Sequence, residues 1–227
     1  MNFANEKIRK ISEAIIIMLD DISLIQKMSK NGSILNSEIL TNYLIKAFKN
    51  AGLPNFYIPL REAKKWCLTV TEQHKEINPF ILHSLILLGE ENQNYVQEKL
   101  NELRTWRRKS DGRFEVPTGY LFQGDLFNTM FVIEIILDLS NTFKYFKKEE
   151  IEQSLNWVIK RRQDIRKIKE IGFLIYLLAR YDPEKYNEII EELSKSIYPH
   201  LEDLLKDLEK SINSGKFDYI LRNDKPG

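Results

Sequence analysis

The sequence contains a single cysteine, Cys67, so no intramolecular disulfide can form, and the chain fits a reducing compartment. It also lacks an excess of charge of either sign. Lys and Arg number 34 against 33 Asp and Glu, a formal +1, so any polyanion recognition must rest on local clusters. No Gly-rich phosphate loop, nucleophile elbow, His-Glu-x-x-His run or cysteine array is present, which removes the common nucleotide, hydrolase and metalloprotease signatures. No Pro/Gly/Ser-rich linker divides the 227 residues, which argues for one domain over 1–212, with 213–227 as an unassigned tail. Long apolar runs are missing too. Ala14–Leu19 is short and ends in Asp20-Asp21, unlike a signal peptide. Leu126–Leu139 carries Asn128, Glu134 and Asp138 and is shorter than the roughly 20 residues of a membrane span. A cytoplasmic protein without a membrane span is expected.

What is present is helical periodicity from end to end. Amphipathic segments are expected over Glu6–Ser29, from Asn36 or Ser37 to Gly52, and over Leu60–Gln73, Tyr95–Lys109 and Lys147–Gln163. A further one runs from Glu184 to Ser211, bent or restarted at Pro199. Between them lie segments apolar nearly all round: Phe80–Leu88 behind the Asn78-Pro79 start signal, Asp125–Leu139 and Ile171–Ala179. A helix apolar on every side needs neighbours on every side, and one with a polar face can line the outside. The pattern therefore predicts an all-α chain of about five helical hairpins, apolar helices inside and amphipathic ones outside. Trp66, Trp106 and Trp157 each fall in an amphipathic segment, at separations that suit a hairpin repeat of roughly 40 residues or more.

Trp106 through Asp111-Gly112-Arg113-Phe114, then Asp125 and Thr129 opening an apolar helix, resembles a repeat of the α/α toroids of terpene cyclases and protein prenyltransferase β-subunits. Asn31-Gly32-Ser33-Ile34 before Glu38–Phe48 is a weaker copy, and four or five such hairpins would cover about Ile8 to Leu208. The resemblance implies a toroid or incomplete toroid whose cavity takes an apolar, isoprenoid-like or phosphate-bearing small molecule, with Tyr43, Phe80, Phe127, Phe131 and Tyr176 lining it. It also says where chemistry should be. Class II cyclases carry Asp-x-Asp-Asp-Thr, whose middle Asp protonates the substrate. Aligned on Thr129, this chain keeps Asp125 but has Phe127 at the donor position and Asn128 at the last Asp, and a phenyl ring has no proton to give. The zinc-binding Asp-x-Cys pair of prenyltransferases is also missing, because Lys65-Trp66 precede Cys67. Cys67, His74 and His83 could share a metal only with a further well-placed shell, so no metal or other cofactor is assigned.

Three other constellations stand out. Asp125, Glu134 and Asp138 are the candidate catalytic carboxylates, the last two one helical turn apart. Arg107-Arg108-Lys109 and the run Lys160, Arg161, Arg162, Arg166 and Lys167 sit at the ends of successive amphipathic segments and would form a basic rim if the hairpins stack in register. Such a rim would suit a protein partner, with nucleic acid less favoured. The residues thus support two readings: a toroid binding an apolar ligand without the family's catalytic motifs, or a non-enzymatic helical-repeat scaffold. No reaction follows from either.

Overall fold

A computed structural model describes residues 32–34, 36–50, 52–73, 78–116, 124–140, 142–165 and 168–214. The expected first helix, Glu6–Ser29, lies outside them, as do His74, Arg166, Lys167 and the tail beyond Ser214. The described helices are α1 (Glu38–Asn50), α2 (Ile58–Gln73), α3 (Pro79–Leu87), α4 (Asn94–Thr105) and α5 (Asp125–Leu137). They continue with the short α6 (Thr142–Tyr145), α7 (Lys148–Lys160), a 3-10 turn at Arg162–Asp164, α8 (Ile168–Tyr181) and α9 (Asn187–Ser214). The fold is all-α. Among the described residues extended pairing is confined to two isolated bridges, Ile34 with Ser37 and Arg107 with Phe114.

Local chemistry sets the helix ends. Ser37 caps α1 by accepting from the Leu40 N–H at 3.3 Å, and Asn78 caps α3 by accepting from Phe80 N (3.0 Å) and Ile81 N (3.2 Å), with Pro79 opening the first turn. The expected helix over Tyr95–Lys109 ends early, at Thr105, because the following backbone is used in a loop. There Arg108 N donates to Arg113 O at 2.7 Å and Glu115 N to Trp106 O at 2.8 Å. No break occurs at Pro199, which lies inside one helical segment.

The helices α1, α3, α5 and α8 pack one upon the next. Of the others, α2 rests on both α1 and α3, α4 on α3, α7 on α5 and α9 on α8. The two middle members of the row are surrounded, and consecutive residues from Pro79 to Ile86 and from Asn128 to Ile136 are buried. This is why their sequences are apolar all round. α8 departs from that expectation. It ends the described row, buries Leu174, Leu177 and Leu178, and leaves Tyr176 exposed.

Two loops repeat one geometry. Gly32 (φ +87°) lies so close to α2 that a Cβ would fall 2.2 Å from the Glu62 carbonyl, and a Cβ on Gly112 (φ +83°) would fall 2.9 Å from Gln153 C and Ser154 N of α7. Two residues later, Ile34 N donates to Thr41 Oγ1 (2.9 Å) and Phe114 N to Thr129 Oγ1 (3.1 Å). Each loop is therefore tied to the start of the helix that follows and seated on the next amphipathic helix. Trp66 stands four positions after Glu62, as Trp157 does after Gln153, so these two indoles occupy matching places. Trp106, at the C-terminal cap of α4, does not share that offset.

Candidate functional site

The helix row carries charge along one side. Lys46 of α1 forms an ion pair with Glu134 of α5, whose side chain is 2% exposed, and its ammonium also lies over the rings of Phe173 (5.6 Å) and Tyr176 (5.2 Å) of α8. One turn beyond Glu134, Asp138 receives a 2.6 Å contact from His83 Nε2 of α3 and pairs with Arg180 of α8. Arg180 in turn donates to the Tyr176 hydroxyl at 2.9 Å and to Leu137 O at 2.7 Å. All four row helices thus contribute, and Tyr176 links the two ion pairs.

Burial pushes the Asp138 carboxyl upward, but the hydrogen bond and charge of His83 and the guanidinium of Arg180 outweigh it and hold the group below its ordinary value. A folded-state value depressed below the unfolded one gives stability that is complete above the ordinary carboxylate range, about pH 4, and lost as the pH falls through the lower folded value. Asp138→Asn should therefore destabilise the protein at neutral pH by on the order of 2–3 kcal/mol, and by less at about pH 3. Urea unfolding at both pH values checks this, and an equal gap at the two would contradict it.

Of the five rings expected to line a cavity, Phe80 and Phe131 are in the core, stacked on each other with centroids 4.5 Å apart. Tyr43 meets the edge of Phe80 (6.5 Å) and is itself 48% exposed, Tyr176 is 37% exposed, and the half-buried Phe127 lies 5.8 Å from Phe173. Lys46 and Phe173 were not singled out from the sequence. Both stand three positions from a residue that was, Lys46 from Tyr43 and Phe173 from Tyr176, a spacing that shares a helix face.

The positions implied by the cyclase motif are also occupied in ways that bear on chemistry. Asp125 accepts from Arg113 Nη1 at 2.7 Å, and Arg113 also pairs with Glu115. Asn128 is buried, and its Nδ2 has no hydrogen-bond partner among the described residues. Burial pushes the Cys67 thiol up to about 12, with a contact from Ser84 pulling the other way, so it stays protonated and is a poor metal ligand at neutral pH. His83 has its Nε2 engaged by Asp138. No group of three or more His, Cys, Asp or Glu side chains placed to hold a metal ion occurs among the described residues.

The basic runs open onto two different hollows. Arg104, Arg107 and Lys109 line one of about 300 Å³ with Asn101, Thr105 and Glu150. Burial lowers the Arg107 guanidinium below its ordinary value, Glu150 opposing and Arg104 adding to the effect. Lys160 instead lines a hollow of about 380 Å³ that includes Ser110, Asp111 and Glu149. Arg108 pairs with Glu115 at 3.6 Å, Arg161 stacks over Trp157 at 4.8 Å, and Arg162 pairs with Glu192 at 3.1 Å.

The chain matches no protein-family profile, no curated protein and no solved structure. Its chemistry has therefore to be argued from its own side chains. Each candidate carboxylate faces a cation: Asp125 has Arg113, Glu134 has Lys46, and Asp138 has Arg180, with His83 Nε2 also in contact. Held below its ordinary value, the Asp138 carboxyl is a poor proton donor. What the row offers instead is a set of partly exposed rings beside two cations, an arrangement able to hold an apolar body and orient a polar end.

Proposed function

We propose that the chain is an α/α-repeat binding domain, of the toroid type that its loop-and-helix repeat resembles, and that it takes an apolar, isoprenoid-like molecule against the row helices without class II cyclase or zinc prenyltransferase chemistry. The observation that carries this reading is the exposure of Tyr43 on α1 and Tyr176 on α8, with the Lys46 ammonium over the Tyr176 and Phe173 rings and Phe127 beside Phe173. Aromatic surface exposed on these two helices is surface available to a ligand. Lys46 and Arg180 would meet a phosphate end if the ligand carries one.

Native mass spectrometry of the protein purified from its own source should show a bound small molecule. In a titration with farnesyl diphosphate, Tyr176→Ala should weaken binding about tenfold, the size expected for losing a ring contact of roughly 1–1.5 kcal/mol. If neither farnesyl diphosphate nor farnesol binds and no adduct is seen, the reading fails. A scaffold role draws its support from the hollow holding Arg104, Arg107 and Lys109, which would suit an acidic protein segment.

A further inference from the structure

Independently of the ligand reading, the corner between α1 and α2 has the features of a surface anchor. Phe56 is 81% exposed and Ile58 64%, the two largest exposures among the big apolar side chains of the described residues. Scattered apolar residues on a surface are ordinary, but two that flank one inward-facing residue form a continuous tip. Tyr57, between them, turns inward and sets its ring edge-on against Phe48 at 5.5 Å.

The tip is held out by a braced turn. Leu53 N donates to Phe48 O (3.0 Å) and Tyr57 N to Pro54 O (2.9 Å). Asn55 receives Lys49 Nζ at 2.7 Å and donates to Leu88 O at 3.0 Å. The backbone that presents Phe56 is thus tied both to α1 and to the end of α3, so little ordering is needed on contact.

No charged residue lies between Asn50 and Leu60. Around the tip stand Lys49, Arg61, Lys64 and Lys65, against the carboxylates of Glu62, which pairs with Arg61 and Lys65, and Glu90, which pairs with Lys64. Arg61 and Lys65 keep 57% and 65% of their side chains exposed. A protruding apolar tip with a net positive collar matches a bilayer interface, in which the ring and the aliphatic chain enter the headgroup boundary and the cations meet anionic lipid. No described helix is long and apolar enough to cross a membrane.

We propose that Phe56 and Ile58 form an insertion tip by which this protein docks on anionic membrane surfaces. The full chain is mixed with vesicles of phosphatidylcholine containing phosphatidylserine, and with phosphatidylcholine alone, and the bound fraction is read by co-sedimentation. The wild-type protein should bind the anionic vesicles, Phe56→Ser/Ile58→Ser should bind them about tenfold more weakly or worse, and Arg61→Gln/Lys65→Gln should flatten the salt dependence. All four side chains are largely exposed, so the melting temperatures should stay together. Absence of binding to the anionic vesicles, or undiminished binding by the Phe56/Ile58 variant, would overturn the proposal. So would a wild-type dimer in sedimentation velocity that this variant loses, which would assign the tip to a second copy of the chain.

Discussion

Gly32→Ala should destabilise the protein by roughly 2–5 kcal/mol, the sum of a left-handed backbone forced on an L-residue and a methyl group driven into the main chain of a packed helix. That is a large share of the roughly 5–15 kcal/mol that holds a typical domain together. The obstacle is the Glu62 carbonyl and the Ala63 nitrogen in the first half of α2, which cannot rotate away as a side chain could. Gly112→Ala should follow with a smaller loss, since its nearest atoms are 2.9 Å away and one neighbour is the flexible Gln153 side chain. Gly52→Ala is the control, because Gly52 also has positive φ (+78°) but open space around its Cβ position, and only the backbone term of about 1–2 kcal/mol remains. Urea unfolding followed by helical circular dichroism ranks the three. Equal losses at Gly32 and Gly52 would mean that α2 gives way and the seat is not rigid.

The second large effect is expected at Lys46. Lys46→Met removes the cation facing Glu134 and leaves a carboxylate at 2% exposure without its charge partner. Breaking a buried pair from one side costs about 3–5 kcal/mol, whereas replacing both members by apolar residues is often close to neutral. Lys46 itself is 24% exposed, so the lower end of that range applies. Lys46→Met/Glu134→Leu should therefore recover most of the loss. A double-mutant cycle measured by chemical unfolding gives the coupling directly. If Lys46→Met alone were as stable as the wild type, the ion pair would have no part in holding α1 to α5.

How much of this was readable beforehand depends on the range of the interaction. Asn78-Pro79 marked the start of α3 because a cap is a contact between near neighbours in the chain, and the all-round apolar character of α3 and α5 announced their burial. The premature end of α4 was hidden, since Trp106 and Arg107 fit the helical period and leave it only because Glu115 and Phe114 return to pair with them. Glu134 and Asp138 were visible as a pair one turn apart, but Lys46 is 88 residues from Glu134 and His83 is 55 from Asp138. Nothing in local spacing ties such partners together. Phe80 and Phe131 illustrate a different limit: when every face of a helix is apolar, periodicity cannot say which ring faces a neighbour and which faces an opening. The basic runs at Arg107 and Lys160 were equally plain as sequence, yet the offset between α4 and α7, fixed by the loop around Gly112, sets them at different hollows.

That offset bears on where the chain can be divided. Because the Gly112 loop is seated on α7 and the Gly32 loop on α2, each loop depends on the amphipathic helix beyond the one it leads into. A fragment ending at Tyr145 would keep α5 and lose the support of the loop that leads into it, whereas one ending at Asp164 would retain both glycine seats. Duplication or shuffling that cut between α7 and α8 would keep each glycine loop together with the helix it leads into and the amphipathic helix on which it rests, so such a chain can lengthen or shorten there without unseating a loop.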